Sequence, residues 1–186
     1  METVLEKIKE LATQAHGEQR RKYTPDLYIV HPIRVMELCR KYTQDTAQLA
    51  AALLHDVLED TEVNQDQLMN LLSGIISDEV AGRTIKLVVE LTDVYVKKDY
   101  PHLNRRQRKS KEMERMEKIS ADAQTVKYAD IIDNCLEIAD HDRSFAPLFL
   151  KECKSLLNVM NKGDKQLYHE AERIVEESLR KVGKPR

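Results

Sequence analysis

With 186 residues, 41% of them apolar and 33% charged, the chain can bury a core without disulfide or metal staples. A net charge of −2 excludes a global attraction to nucleic acid or to an anionic membrane, so any grip on an anionic ligand must be local. Only five glycines and five prolines occur, which leaves little turn chemistry and favours helices.

The first fifteen or so residues place Val4, Leu5, Ile8, Leu11, Ala12 and Ala15 at the i, i+3, i+4, i+7 spacing of a helix with one buried stripe, predicted from Thr3 to about Gln19. This amphipathic, charged start carries no signal-peptide core, and no apolar run approaches the roughly 20 residues of a membrane span, so the cytoplasm is the expected compartment. "RRKYTPDLYIV" breaks the pattern, because Pro25 pushes Thr24 out of helical geometry and Asp26 suits a turn. At most a short hairpin near residues 22–30 is expected. Pro32 fits the first turn of the next helix, "IRVMELCRKY". Residues 43–45 break it, and "TAQLAAALLHDVLED" reads as one continuous helix. A further helix is predicted at 64–72, and Ser77 or Asp78 can cap "EVAGRTIKLVVELTDV". After Pro101, the charged run to residue 118 reads as a loop and then an exposed helix. Ser120 caps "ADAQTVKYADIIDNCLEIADH". Two helices near 146–160 and 165–181 follow, with Gly163 as a stop between them. The expectation is an all-α fold, one compact bundle over residues 1–186. Cys39, Cys135 and Cys153 form no CxxC pair and sit among apolar residues, so buried free thiols are expected.

One stretch stands apart, "LLHDVLEDT". On a helix, His55, Asp56, Glu59 and Asp60 share an arc of about 140° with Ala52. The simpler reading is a polar stripe facing water. A second polar arc, Lys127, Asp130, Asp133, Asn134 and Glu137 on helix 121–141, offers an alternative in which two such arcs supply ligands to one ion. His55 and Asp56, with Asp130 and His31 from other helices, would give a mixed imidazole and carboxylate set. That set suits Mn²⁺, Fe²⁺ or Zn²⁺, and its hard oxygens lean toward Mn²⁺. Such an ion lowers the pKa of water, and nearby carboxylates such as Glu59 and Asp60 can orient the water and shuttle protons.

The order His31, His55-Asp56, Asp130 resembles the H…HD…D pattern of HD-domain metal-dependent phosphohydrolases. "YIVHPIRV", "AALLHDVLEDT" and "AQTVKYADIIDN" are similar to motifs of RelA/SpoT-type alarmone hydrolase domains, particularly the stand-alone small alarmone hydrolases. The likeness extends through "HGEQRRK", "NRRQRK" and "FAPLFLKECKSLLNVMNKGDKQL". It implies an all-helical bundle around one Mn²⁺ held by His31, His55, Asp56 and Asp130. It also implies removal of the 3′-pyrophosphate from guanosine tetra- or pentaphosphate, giving GDP or GTP. By the same resemblance, Glu59 and Asp60 match the acidic pair that activates water. Asn134 matches a residue that contacts the nucleotide, and Arg21 and Lys22 match basic residues of the substrate arm. Two cations before a turn are also, independently, a reasonable grip for phosphate. The chain departs from the pattern at Leu27, before Tyr28, and at Leu136 and Glu137, where the family continues with Arg and a hydroxyl residue.

Two other readings stand beside this one. An HD-domain phosphatase of another nucleotide, a deoxynucleoside monophosphate or the 2′-phosphate of NADPH, would share the metal site. A metal-bound sensor or scaffold would have lost turnover, but no ligand or acid is missing. The remaining histidines read as packed or exposed (His16) or as surface residues (His102, His141 and His169). The basic run over residues 105–111 reads most simply as a solvated face; its functional reading is a rim that draws in an anionic substrate. Nucleic acid fits poorly, because aromatics are few and "EMERMEK" cancels the charge.

Overall fold

A computed structural model describes residues 1–183 of the chain. It is all-α, as expected, and no strand occurs among the described residues. The chain divides into two compact units, Met1–Thr92 and Asp93–Arg186.

The first unit contains α1 (Glu2–His16), α2 (Val30–Arg40), α3 (Thr46–Leu54), α4 (Val57–Asp60), α5 (Gln65–Ser73) and α6 (Asp78–Leu91). Its centre is α3, in which every residue from Ala47 to Leu54 is buried. A helix apolar all round has no solvent face, so α1, α2 and α6 pack against it. Side-chain caps set the helix starts. Asp45 accepts from Gln48 N–H, Asn64 forms a reciprocal capping box with Gln67, and Ser77 accepts from Val80 N–H. Each such cap contributes about 1 kcal/mol.

Two helix ends differ from the sequence expectation. The first helix stops at His16, because Gly17 turns left-handed at φ 53° and its N–H closes onto Thr13 O. The predicted continuous helix over residues 46–60 is interrupted at His55–Asp56. There the His55 imidazole Nδ1 lies 2.8 Å from Ala52 O, engaging the carbonyl that a continuing helix uses for its own ladder. Between α1 and α2 the chain folds back on itself as the expected short hairpin. Arg20 and Leu27 form an isolated antiparallel bridge, and Tyr28 N–H donates to Gln19 O at 2.8 Å.

The second unit contains α7 (Arg105–Met116), α8 (Ala121–His141), α9 (Ala146–Leu157) and α10 (Lys165–Val182). The long α8 is its spine and packs against α9 and α10. Asn104, Ser120 and Asp164 cap α7, α8 and α10. All three cysteines are buried thiols. The hydrogen bond between Cys135 and Cys153, with burial, pushes the Cys135 thiol up and keeps it protonated.

Gly163 serves a purpose other than ending a helix, since α9 already stops at Leu157. A Cβ there would lie 2.6 Å from Tyr128 Cε2 and 2.8 Å from Thr125 N. The close approach lets Tyr128 OH donate to Met160 O at 2.8 Å and lets Asp164 N–H donate to Thr125 Oγ1 at 2.8 Å. Burial raises the Tyr128 hydroxyl to about 12, so it remains a donor at neutral pH. Gly163→Ala should therefore destabilise the chain by about 1–3 kcal/mol, because the backbone of α8 cannot give way cheaply. Urea unfolding of the two proteins checks this. Among the described residues, no helix is long and apolar enough to cross a membrane.

Candidate metal centre

Three of the residues singled out in the sequence converge in the first unit. His31 sits in the first turn of α2, and His55 and Asp56 form the break between α3 and α4. Both imidazoles are buried, and Asp56 is half-buried. One ligand atom from each lies within 4.8 Å of the others. His55 Nε2 is 3.1 Å, and His31 Nε2 3.6 Å, from the same Asp56 Oδ2. The two rings meet edge to face, with centroids 5.2 Å apart.

The donor set fits a divalent ion. Atoms ligating one ion at about 2.1 Å lie roughly 3.0–3.4 Å apart, close to the spacing found here. A carbonyl only accepts, so the contact to Ala52 O places the His55 proton on Nδ1 and leaves the Nε2 lone pair facing Asp56. Tyr28 OH donates to the same Asp56 Oδ2 at 2.8 Å and helps to fix that carboxylate. Two imidazole nitrogens and a carboxylate oxygen, preset in a sheltered place, form a cluster that could hold such an ion.

Glu59 and Asp60 occupy α4, directly after the His55-Asp56 pair, and both are exposed. Asp60 nevertheless has protein packed around its carboxyl. That desolvation raises its pKa, and the nearby Asp56 charge raises it further. Hydrogen bonds from Tyr28 and Gln19 and the field of His16 pull it back only in part. Arg21 and Lys22 lie on the hairpin. The Arg21 guanidinium sits 5.4 Å from the centroid of the Tyr28 ring, and Lys22 Nζ donates to Tyr23 OH at 2.8 Å.

Asp130 and Asn134 belong to the second unit, one turn apart on α8. Asn134 Nδ2 donates to Asp130 Oδ1 at 2.6 Å, and Lys127 Nζ lies 2.8 Å from Asp130 Oδ2. All three line a cleft of about 800 Å³. Arg105, Arg106, Lys109 and Lys151 also line it, as do Met113, Ile131 and Phe149. Part of the basic run thus faces a cavity. Its charge is tempered, since Arg105 pairs with Glu152 at 2.6 Å and Lys109 with Asp93 at 3.1 Å. His102, His141 and His169 are exposed, as expected, and His16 is packed.

The sequence reading gave no role to Tyr28, Gln19 or Lys127. A lysine three residues before a carboxylate on a helix was a usable signal for an ion pair. Tyr28 and Gln19 gave no such signal, because they reach the centre only through the return of the hairpin.

A family model described as HD domain matches residues 9–159. Curated relatives include a guanosine-3′,5′-bis(diphosphate) 3′-pyrophosphohydrolase of Aquifex aeolicus, 35% identical over 80 residues, which are 43% of this chain and 11% of that protein. A probable enzyme of the same name from Synechocystis is 40% identical over 73 residues, 39% of this chain and 10% of that one. The chain thus spans about a tenth of the length of these relatives. Among solved structures, one described as a metazoan ortholog of SpoT that hydrolyzes ppGpp superposes with a TM-score of 0.79 at 24% identity, covering 94% of each chain. The lmo0812 protein of Listeria monocytogenes superposes at 0.62 with 22% identity, covering 86% of this chain and 99% of that one. These two share the fold. The matched family segment takes in His31, the His55-Asp56 pair and Asp130, and on that ground the chain belongs to the HD domain family.

Proposed function

We propose that this chain hydrolyses the 3′-pyrophosphate of guanosine tetra- or pentaphosphate, leaving GDP or GTP and releasing pyrophosphate. The observation that carries the reading is the cluster of buried His31 and His55 with half-buried Asp56, followed one turn later by the carboxylates Glu59 and Asp60. The names of the matched relatives suggest the substrate class. In this reading His31, His55 and Asp56 hold the ion, and the family order assigns the fourth ligand place to Asp130. The ion, which we take to be Mn²⁺, supplies Lewis-acid activation of water and offsets phosphate charge. Glu59 and Asp60 orient the attacking water and accept its proton, Asn134 contacts the nucleotide, and Arg21 and Lys22 grip its phosphates.

Incubating the Mn²⁺-loaded protein with a nucleotide panel and resolving pyrophosphate from phosphate tests this directly. Pyrophosphate from guanosine tetraphosphate is the expected product. Release of orthophosphate alone, from a deoxynucleoside monophosphate or from NADPH, would replace the proposal with a phosphatase.

Lys22 is exposed and on a hairpin, so its contribution is to affinity. Lys22→Ala should raise KM several-fold, with less effect on kcat, and the difference should shrink as salt is added. Steady-state kinetics at two ionic strengths check it. A collapsed kcat at unchanged KM would put Lys22 in the chemistry instead.

A further inference from the structure

Tyr28 touches both kinds of residue in the metal centre. Its hydroxyl donates to Asp56 Oδ2 at 2.8 Å, and its carbonyl accepts from His31 N–H at 3.0 Å. Its ring meets that of His31 edge to face, with centroids 6.0 Å apart. Asp56 needs such a hold. It is the N-cap of α4, a place where an aspartate ordinarily accepts from a backbone N–H of the first turn, yet its side chain makes no capping bond. The carboxylate is turned instead toward His31 and His55, at 3.6 and 3.1 Å. Two orientations thus compete, one that caps α4 and one that ligates, and the Tyr28 hydroxyl bonds the oxygen of the second.

Tyr28 is itself held by the hairpin between α1 and α2. Tyr28 N–H donates to Gln19 O at 2.8 Å, Gln19 N–H to His16 O at 3.0 Å and Arg21 N–H to Asp26 O at 3.0 Å. His16 Nδ1 is 2.9 Å from Gln19 Oε1, and the His16 and Tyr28 rings lie 4.8 Å apart, centroid to centroid. Gly17, at φ 53°, makes the turn that returns the chain from His16 to Gln19. Residues 17–28 are all exposed or half-buried. A segment with so little buried surface can open while the helices stay folded.

We propose that Tyr28 is a positioning residue that holds Asp56 in its ligating orientation, so that closing of the hairpin and binding of the ion favour one another. This inference rests on the reading of His31, His55 and Asp56 as ligands and needs no nucleotide. Its quantitative form is a linkage: an ion that binds the closed hairpin more tightly than the open one by some factor must, at saturation, favour closing by the same factor. Arg21 and Lys22 ride on the hairpin, so loading the ion would also steady the residues assigned to the phosphates.

Tyr28→Phe keeps the ring beside His16 and removes the hydroxyl. Calorimetric titration of the metal-free protein should show its affinity for Mn²⁺ lowered about tenfold or more, the usual cost of losing a partner one step removed from a metal. Hydrogen–deuterium exchange, read by mass spectrometry over residues 17–29, supplies the reciprocal measurement. Saturating Mn²⁺ should slow exchange there by about the same factor in the parent, and by much less in Tyr28→Phe. Gly17→Ala puts a side chain at a left-handed φ, so hairpin exchange should quicken and Mn²⁺ affinity fall, although residue 17 is no part of the ligand set. A residue that only fills space would shift the melting temperature of the metal-free protein and leave the Mn²⁺ affinity of the folded protein unchanged. If Tyr28→Phe does not fold, exchange in the parent with and without Mn²⁺ decides. Parent-like Mn²⁺ affinity in Tyr28→Phe, parent-like affinity in a Gly17→Ala protein whose hairpin exchanges faster, or hairpin exchange in the parent that Mn²⁺ does not slow would each overturn the inference and leave the ligand set standing. A parent that binds no Mn²⁺ in the titration would overturn it together with the metal reading.

Discussion

Asp56→Ala should abolish metal binding and, with it, turnover. Asp56 Oδ2 is the atom on which both imidazoles converge, at 3.1 and 3.6 Å, and among the described residues no other carboxylate joins that cluster in the first unit. Mutating partners one step removed from a metal commonly weakens binding by about 10–100-fold, so loss of a ligand oxygen should weaken it by at least about 100-fold. Thermal stability gives a second readout. An ion present at about 100 times its dissociation constant stabilises the folded state by about 2.7 kcal/mol. For a chain of this length that corresponds to a rise in melting temperature of roughly 5–10 °C. The parent should show the rise with Mn²⁺ and lose it with a chelator, and Asp56→Ala should show neither. Asp56→Asn, which keeps an acceptor for Tyr28 OH, separates loss of the ligand charge from loss of that hydrogen bond. An Asp56→Ala protein that melts higher with Mn²⁺, to the same extent as its parent, would remove Asp56 from the ligand set.

Much of this was legible in the chain, and what was hidden has identifiable causes. Ser77, Ser120 and the turn before Pro32 announced helix starts because capping is local chemistry, decided within four residues. His31 and the His55-Asp56 pair were legible because few purposes place imidazole beside carboxylate in an apolar run. The break after Leu54 was not, since it accompanies the His55 side chain's hold on a carbonyl in its own helix, and apolar periodicity carries no trace of that contact. Gly163 looked like a helix stop, but its constraint comes from Tyr128 and Thr125, more than thirty residues away in sequence. Tyr28 and Gln19 were missed for the same reason: the hairpin brings Tyr28 to Asp56 and ties it to Gln19, and neither residue type announces a site.

Asp60→Ala and Glu59→Ala should leave metal binding intact and lower kcat by about 100-fold or more, the usual scale for a positioned acid or base. Neither carboxylate belongs to the converging ligand set, so the melting-temperature rise with Mn²⁺ should survive in both variants. Asp60 is the better candidate for the base. Desolvation and the Asp56 charge raise its pKa above that of an ordinary aspartate, toward the pH at which it would work. The sign of the pH dependence follows. A base must be deprotonated to accept a proton, so activity should fall, along an acid limb, as pH drops through the Asp60 pKa. Asp60→Asn should remove that limb together with most of the rate. Profiles of kcat against pH for the parent and Asp60→Asn check this. A parent-like rate in Asp60→Ala, or an unchanged acid limb in Asp60→Asn, would withdraw the role of base.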